Sequence, residues 1–397
     1  MSDAKIKKWE LAASTGSHFD VLDGLRGVAI LLVAICHAFY TNPERGFLSR
    51  RAGDFIEAGW MGVPIFFVLS GFLIALPFFQ KRLTDPRFWN QRGYAWRRAG
   101  KILPPFYLSI ILFAAFFAWE GNDLGYWKSG LVWASGLGNF MLTQPSFNEY
   151  YWSLLVETQF YVVLPLLIWA LRGLKLEQLT VALFLILFFV PLIARCLTWP
   201  AGVSAYPGAD REIAMLLKRF PTQLDYFAWG VLLAGMFTRL KPVLEKLRAL
   251  SALGYVGVAV LVVGMFFWGA WVREYGIRVN PTRWSDELRH LLPALAAGLM
   301  VFFIFDPQCL GARVLSNGWL RFTGLISYEW FLFHPPVCQW FLTHHGPTQG
   351  SLTAYAWKTV FPLAVTFVFS ALVYRYFSLP ILNRIRESLK SGKTSAV

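Results

Sequence analysis

The sequence predicts an all-α, polytopic membrane protein: about ten transmembrane helices in one bundle, with both termini cytoplasmic. Three observations carry this. Of 397 residues, 56% are hydrophobic and only 15% charged, with 36 Phe and 18 Trp, which is too apolar for an ordinary soluble domain. Apolar runs of about the 20 residues needed to cross a bilayer recur along the chain. The formal charge of +14 is concentrated in short basic segments between those runs, the pattern of the positive-inside rule and not of a nucleic-acid partner.

The runs lie near 21–40, 60–79, 102–119, 151–171, 177–197, 222–238, 251–272, 288–305, 319–341 and 357–378. The segment "MSDAKIKKWELAASTGSHFD" before the first has no apolar core beside its lysines and no small-residue cleavage site, so the first span is expected to be retained. The loop at 80–101 holds seven Lys or Arg against one Asp and should be cytoplasmic. An eleventh candidate, "GLVWASGLGNFML" at 130–142, is short and Gly-rich. If it does not span, "RGLK" (172–175), "RLKPVLEKLR" (239–248), Arg313 and the basic end "NRIRESLKSGK" all fall on the side of the N-terminal "KIKK". If it spans, the 239–248 loop moves outside and the agreement breaks. A re-entrant or interfacial 130–142 follows, with the mixed-charge loops 198–221 and 273–287 outward. The expected organisation is a cytoplasmic segment at 1–20, one transmembrane domain at 21–380 and a basic cytoplasmic tail at 381–397, with no soluble domain at either end. Cys36, Cys196, Cys309 and Cys338 lie in or beside apolar runs without paired spacing, and read as reduced core residues.

Ionisable groups inside a bilayer are costly and point to a functional site by default. The first run, "LDGLRGVAILLVAICHAF", carries Arg26 and His37 eleven residues apart. On a helix, eleven steps return almost to the starting direction, so both side chains share one face about 16 Å apart along the axis. Each has a plain alternative: Arg26 can snorkel to the inner interface, and His37 can be a satisfied interfacial histidine. Together they suit a guanidinium for a phosphate or carboxylate at one end, and a neutral imidazole that takes a proton from a hydroxyl at the other. Coenzyme A, with an anionic head and an extended pantetheine arm, has that shape. Cys36 points about 100° away from His37 and reads as core. Asp23, three residues before Arg26, reads as its helix-start partner.

Five motifs then resemble one family in order. Arg26 and His37 form Arg-x10-His. "GVPIFFVLSGFLI" (62–74) is close to a Gly-Val-x-x-Phe-Phe-x-x-Ser-Gly-Phe-Leu-Ile signature. "RRAGKILPPFY" (97–107) is similar to Arg-x-x-Arg followed by Ile-x-Pro, with Lys101 where the second arginine is usual. "WSLLVETQFYVVLP" (152–165) matches Trp-Ser-Leu-x-x-Glu-x-x-Phe-Tyr. "SYEWFLFHPPV" (327–337) looks like the late Ser-Tyr…Leu-x-His-x-Pro element, with Phe331 where tyrosine is common. The chain thus resembles the acyltransferase-3 family of integral-membrane acyltransferases over nearly its whole length. The resemblance implies transfer of an acyl group, most often acetyl from acetyl-CoA, to a hydroxyl of a glycan, glycolipid or small natural product, in a multi-pass protein of the bacterial inner membrane.

With that implication His37 is the expected general base, and Arg26, Arg97, Arg98 and Lys101 the cradle for the anionic end of acyl-CoA. Lys101 keeps the charge but loses bidentate phosphate geometry. Glu157 has two open readings: it orients His37, or it neutralises an arginine within the bundle. Ser153 lacks a nucleophile elbow and reads mainly as helix packing, as do Gly62, Ser70 and Gly71. Tyr328 and His334 lie six residues apart, about 120° off, and are further candidates. His344 and His345 fall in an expected outer loop with no third ligand spaced for a metal. Acyl-CoA is expected as a donor substrate, with no permanently bound cofactor or metal; the other partners are the acceptor and membrane lipid. Two rivals stand beside this reading. A proton-coupled transporter of a sugar or anionic solute would also use an intramembrane Arg and His, but no internal repeat is evident. A non-catalytic assembly subunit binding anionic lipid leaves His37 without a role.

Overall fold

The computed structural model describes residues 19–41, 50–84, 91–121, 123–138, 148–198, 220–244, 248–275, 283–345 and 352–394, and their regular structure is helical. The helices are α1 (Asp20–Thr41), α2 (Arg50–Glu57), α3 (Gly62–Thr84), α4 (Gln91–Glu120), α5 (Gly125–Ala134), α6 (Trp152–Ala170), α7 (Leu176–Thr198) and α8 (Leu224–Leu244). They continue as α9 (Ala252–Tyr275), α10 (Arg283–Met300), α11 (Leu310–Leu315), α12 (Gly318–Leu325), α13 (Ser327–His344), α14 (Leu352–Val373) and α15 (Leu379–Thr394); a π-helical turn, Tyr374–Ser378, joins the last two.

Seven segments among the described residues are long and apolar enough to cross a membrane: Asp20–Phe39, Arg51–Lys81, Gly93–Glu120, Glu149–Ala170, Leu176–Leu197, Arg248–Phe267 and Leu352–Leu389. The remaining expected spans differ for visible reasons. In 288–305 the apolar part is the shorter Leu291–Phe305, which tightens into a 3-10 stretch at Val301–Phe305. The run 319–341 is broken at Ile326 and carries buried Arg321, Glu329 and His334. The 222–238 run begins in a 3-10 turn and carries buried Asp225 at the start of α8. Exposed apolar residues run along α7 at every fourth position, Val181, Leu185, Phe189, Ile193 and Leu197, a stripe suited to lipid and not to water. Where 130–142 is described, α5 covers only ten residues, about 15 Å and half the hydrocarbon thickness. Gly136 follows in the left-handed region at φ 80°, and 139–142 lie outside the described residues. The basic loop at 80–101 is helical from Gln91 onward as the first turns of α4.

The chain forms two compact units, each built from separated segments. The first contains Met1–Leu48, Trp89–Tyr151 and Ser316–Val397, and so holds α1, α4, α5 and α12–α15. Its α1 lies against α12 and α13, α13 against α14, and α4 against α5, α13 and α15. The α1–α12 approach is backbone to backbone. A Cβ on Gly27 would meet the Leu320 carbonyl oxygen at 2.2 Å, and one on Gly324 would meet that of Asp23 at 1.8 Å, so only glycine permits this packing. An Arg321–Asp20 ion pair at 3.1 Å fixes the same end. Asn317 caps α12 by accepting the Trp319 N–H.

The second unit contains Ser49–Phe88 and Trp152–Leu315. Here α3 packs on α8 through Gly71 and Gly230, whose added Cβ atoms would fall 2.4 Å from Phe227 O and 2.0 Å from Val68 O. The packing role expected for Gly71 is what the backbone requires. Phe227 is sandwiched between Phe67 and Phe160, with ring centroids at 4.7 and 4.0 Å. A buried Arg195–Asp225 pair at 3.1 Å, with Arg195 also donating to the Thr222 carbonyl, ties α7 to the start of α8.

Candidate functional site

The first unit carries two polar centres, one at each end of α1. At the later end, His37 is buried and its Nδ1 lies 2.9 Å from His334 Nε2, on α13. The other nitrogen of His334, Nδ1, lies 2.6 Å from the Trp330 carbonyl oxygen one turn earlier. A carbonyl only accepts, so that Nδ1 carries the proton, and in a neutral His334 the Nε2 is the acceptor. His37 Nδ1–H therefore donates to His334, and the lone pair of a neutral His37 is on Nε2. The two rings are nearly parallel, 13° between planes and 5.2 Å between centroids.

Tyr150 covers the His37 ring at a centroid distance of 3.8 Å. Its position is set by Asn148, which accepts the Tyr150 N–H at 3.0 Å and donates to the Leu332 carbonyl at 3.3 Å. Trp330, whose carbonyl fixes His334, is itself held by its indole N–H on Thr366 Oγ1 at 3.1 Å. The histidine pair thus rests on a scaffold from α13, α14 and the turn before α6. Asn148, Tyr150 and Trp330 were not legible as site residues. Their role is to place and orient, and it depends on contacts made across 36 to 184 positions of sequence.

At the other end, Arg26 of α1 meets the start of α4. Lys101 lies within electrostatic reach of Arg26, Arg98, Asp23 and Glu329, and Arg97 of Arg98. Arg26 and Lys101 both reach Glu329, Lys101 also reaches Asp23 and Arg98, and Arg98 reaches Arg97, so this end of α1 and α4 holds four cations against two carboxylates (4 − 2 = 2 in excess). Glu329 is 3% exposed and sits beside Ser378 of the π turn. The Tyr328 hydroxyl donates to the Ile102 carbonyl at 2.9 Å and pins α13 to α4 next to Lys101. Tyr328 therefore belongs to this centre, while His334, six residues on, belongs to the other. Pro104 and Pro105 of α4 remove the N–H groups that would have bonded the Gly100 and Lys101 carbonyls, so the backbone is polar here too. Glu329 was missed although it stands in "SYEWFLFH" inside an apolar run, where the rule that intramembrane charges are functional applies to it as to Arg26.

Glu157, in the second unit, accepts hydrogen bonds from the Ser70 and Tyr161 hydroxyls; neither is the histidine or arginine that the sequence suggested as its partner. Ser153 is buried on α6. His344 ends α13 instead of lying in a loop, and pairs with Glu120 at 2.7 Å. The four cysteines are free thiols, with Cys36 and Cys338 buried. Among the described residues no group of three or more His, Cys, Asp or Glu could hold a metal.

A family model described as an acyltransferase domain matches residues 19–375. The chain belongs to the acyltransferase-3 family. Both polar centres fall within the matched region. Similar curated proteins include the peptidoglycan O-acetyltransferase OatA of Listeria monocytogenes, 26% identical over 91% of this chain and 55% of that protein. The putative peptidoglycan O-acetyltransferase YrhL of Bacillus subtilis is 25% identical over 91% of this chain and 54% of its own. A putative O-acetyltransferase of Staphylococcus aureus is 23% identical over 90% and 56%. The chain spans about half the length of these relatives. No solved structure matches it. Family and apolar helices together make this acyltransferase-3 chain a multi-pass membrane protein.

Proposed function

We propose that this protein is a membrane O-acyltransferase that moves an acyl group, most simply acetyl, from cytoplasmic acyl-CoA to a hydroxyl of a glycan. The observation that carries the reading is the pair of centres on α1. A cluster with excess positive charge around Arg26 lies eleven residues, about 16 Å, from a histidine whose bonding leaves its lone pair on Nε2. That separation suits a donor with phosphates at one end and a thioester at the other. Arg26, Arg97, Arg98 and Lys101 hold the nucleotide phosphates; guanidinium groups supply paired donors and Lys101 a point charge.

At the other end His37 Nε2 takes the proton from the acceptor hydroxyl as its oxygen attacks the thioester carbonyl. The carbon–sulfur bond breaks, and the departing coenzyme A thiolate receives that proton from the imidazolium. His37 returns to its starting state, and no acyl-enzyme is required. Tyr150, against the ring face, and His334, on Nδ1, hold the imidazole in one orientation. Glu157, bonded by two hydroxyls, we assign to organising the second unit. In this reading ten spans place both termini in the cytoplasm of a bacterial inner membrane, with 130–142 not crossing. The peptidoglycan named for the Listeria relative makes a cell-wall glycan the first acceptor to test.

The test is acetyl-CoA binding by the detergent-purified protein, measured by calorimetry with wild type and Arg26→Ala. Saturable binding that weakens at least about tenfold in the variant is expected. A folded, monodisperse wild type that does not bind acetyl-CoA refutes the reading and returns the transporter alternative.

A further inference from the structure

The basic end of the chain is a helix built onto the donor-side cluster. After the π turn, α15 packs on α4. The contact is close: a Cβ on Gly100 would lie 2.1 Å from Ile385 Cδ1. Arg97 stands one turn before Gly100 on α4, and Arg386 follows Ile385 on α15. The buried face of α15 is formed by Leu379 and Leu382, with Ile385 and Arg386 half-buried on its continuation. Arg386 thus occupies a position where the helical period calls for an apolar residue, while its neighbour Arg384 is exposed.

Arg386 lies within electrostatic reach of Tyr374 and Arg97, and Arg97 of its chain neighbour Arg98. Three guanidiniums are therefore carried by the α4–α15 contact near Lys101 and Arg26. Like charges held together at partial burial repel, and the helix contact that forces them together is explained if an anion with several oxygens sits between them. Arginine forks match phosphate oxygens two at a time. Residues beyond 375 also lie outside the family match, so this helix is a feature of the chain that the family assignment does not cover.

We infer that α15 completes the donor site, with Arg386 and Arg97 together binding a phosphate of the nucleotide end of acyl-CoA. The inference rests on the acyl-CoA reading above. The same chemistry would recognise the phosphate of an anionic lipid headgroup, and the experiment separates the two.

Binding of acetyl-CoA and of the truncated donor S-acetyl-N-acetylcysteamine, which carries no phosphate, is measured with wild type, Arg386→Gln and Gly100→Val. Thermal stability of each is followed with and without phosphatidylglycerol. Arg386→Gln should weaken acetyl-CoA binding by about tenfold or more and leave the truncated donor's affinity unchanged. Gly100→Val, whose added side chain crowds Ile385 at the α4–α15 contact without touching Arg386, should reproduce that selective loss. Equal acetyl-CoA affinity in Arg386→Gln and wild type overturns the assignment. An Arg386→Gln protein that keeps acetyl-CoA affinity but loses its stabilisation by phosphatidylglycerol overturns it in favour of the lipid. A wild type that binds no acetyl-CoA removes the donor reading and this subsite with it, whereas equal affinity in Arg386→Gln and a wild type that does bind removes the subsite alone and leaves the donor reading standing.

Discussion

Replacing His334 with alanine removes the acceptor for the His37 Nδ1 proton without touching the base itself. The 2.9 Å bond is buried, and His334 is 0% exposed, so water does not readily take its place. Leaving a buried donor unsatisfied costs about 1–3 kcal/mol, and the imidazole escapes that cost by turning or by moving its proton to Nε2. Either escape withdraws the lone pair from the acceptor hydroxyl. A penalty of that size corresponds to a fall in the rate of acyl transfer of about 5- to 150-fold. Loss of the base itself in His37→Ala should cost about 100- to 10,000-fold. Because His334 acts through His37, the effects should not add: His37→Ala/His334→Ala should be no slower than His37→Ala. The assay is transfer of labelled acetyl from acetyl-CoA to cell-wall glycan by reconstituted protein, with acetyl-CoA affinity measured in parallel and unchanged in His334→Ala. Full activity in His334→Ala, or an additional independent loss in the double variant, refutes the orienting role.

Other predictions follow from the geometry. Gly324→Leu places a side chain where a Cβ alone would be 1.8 Å from the Asp23 carbonyl oxygen; since the obstacle is backbone, the cost should reach or exceed about 3 kcal/mol, read as lost monodisperse yield and a lowered melting temperature. Tyr328→Phe deletes the bond to the Ile102 carbonyl and should cost about 0.5–1.5 kcal/mol of stability while the transfer rate at saturating donor stays near wild type. Arg26→Gln should raise the acetyl-CoA concentration needed for half-maximal transfer by about tenfold or more, with the saturated rate largely kept; a fall in the saturated rate alone would contradict its place at the phosphates.

Much of this was legible in the chain because the family motifs and the helical period act locally. Arg26 and His37 sit on one α-helix, and their separation follows from helix geometry alone. His334 could be named but not given a role, since six residues of helix separate it from Tyr328 and the sequence does not say that α1 and α13 bring two imidazoles to hydrogen-bonding distance. Glu157 was visible as an intramembrane carboxylate, yet its hydroxyl partners come from residues read as packing and as part of a motif. The donor side shows the same limit. The composition of 381–397 reads as a solvated basic tail, because charge patterning does not show that Gly100 opens a seat for Ile385 or that a π turn aims α15 back at α4. Those features depend on tertiary contacts between distant segments, which override local polarity. The break at Ile326 is likewise hidden in an apolar run, although it carries Arg321 and Glu329 on either side.

The most direct test of the central claim is a single-turnover experiment with purified protein in liposomes, labelled acetyl-CoA and cell-wall glycan as acceptor, comparing wild type with His37→Ala. The account predicts label on the glycan, stoichiometric release of free coenzyme A, and a loss of about 100-fold or more in the variant while it still binds acetyl-CoA. A folded His37→Ala protein that transfers acetyl at the wild-type rate would contradict the account.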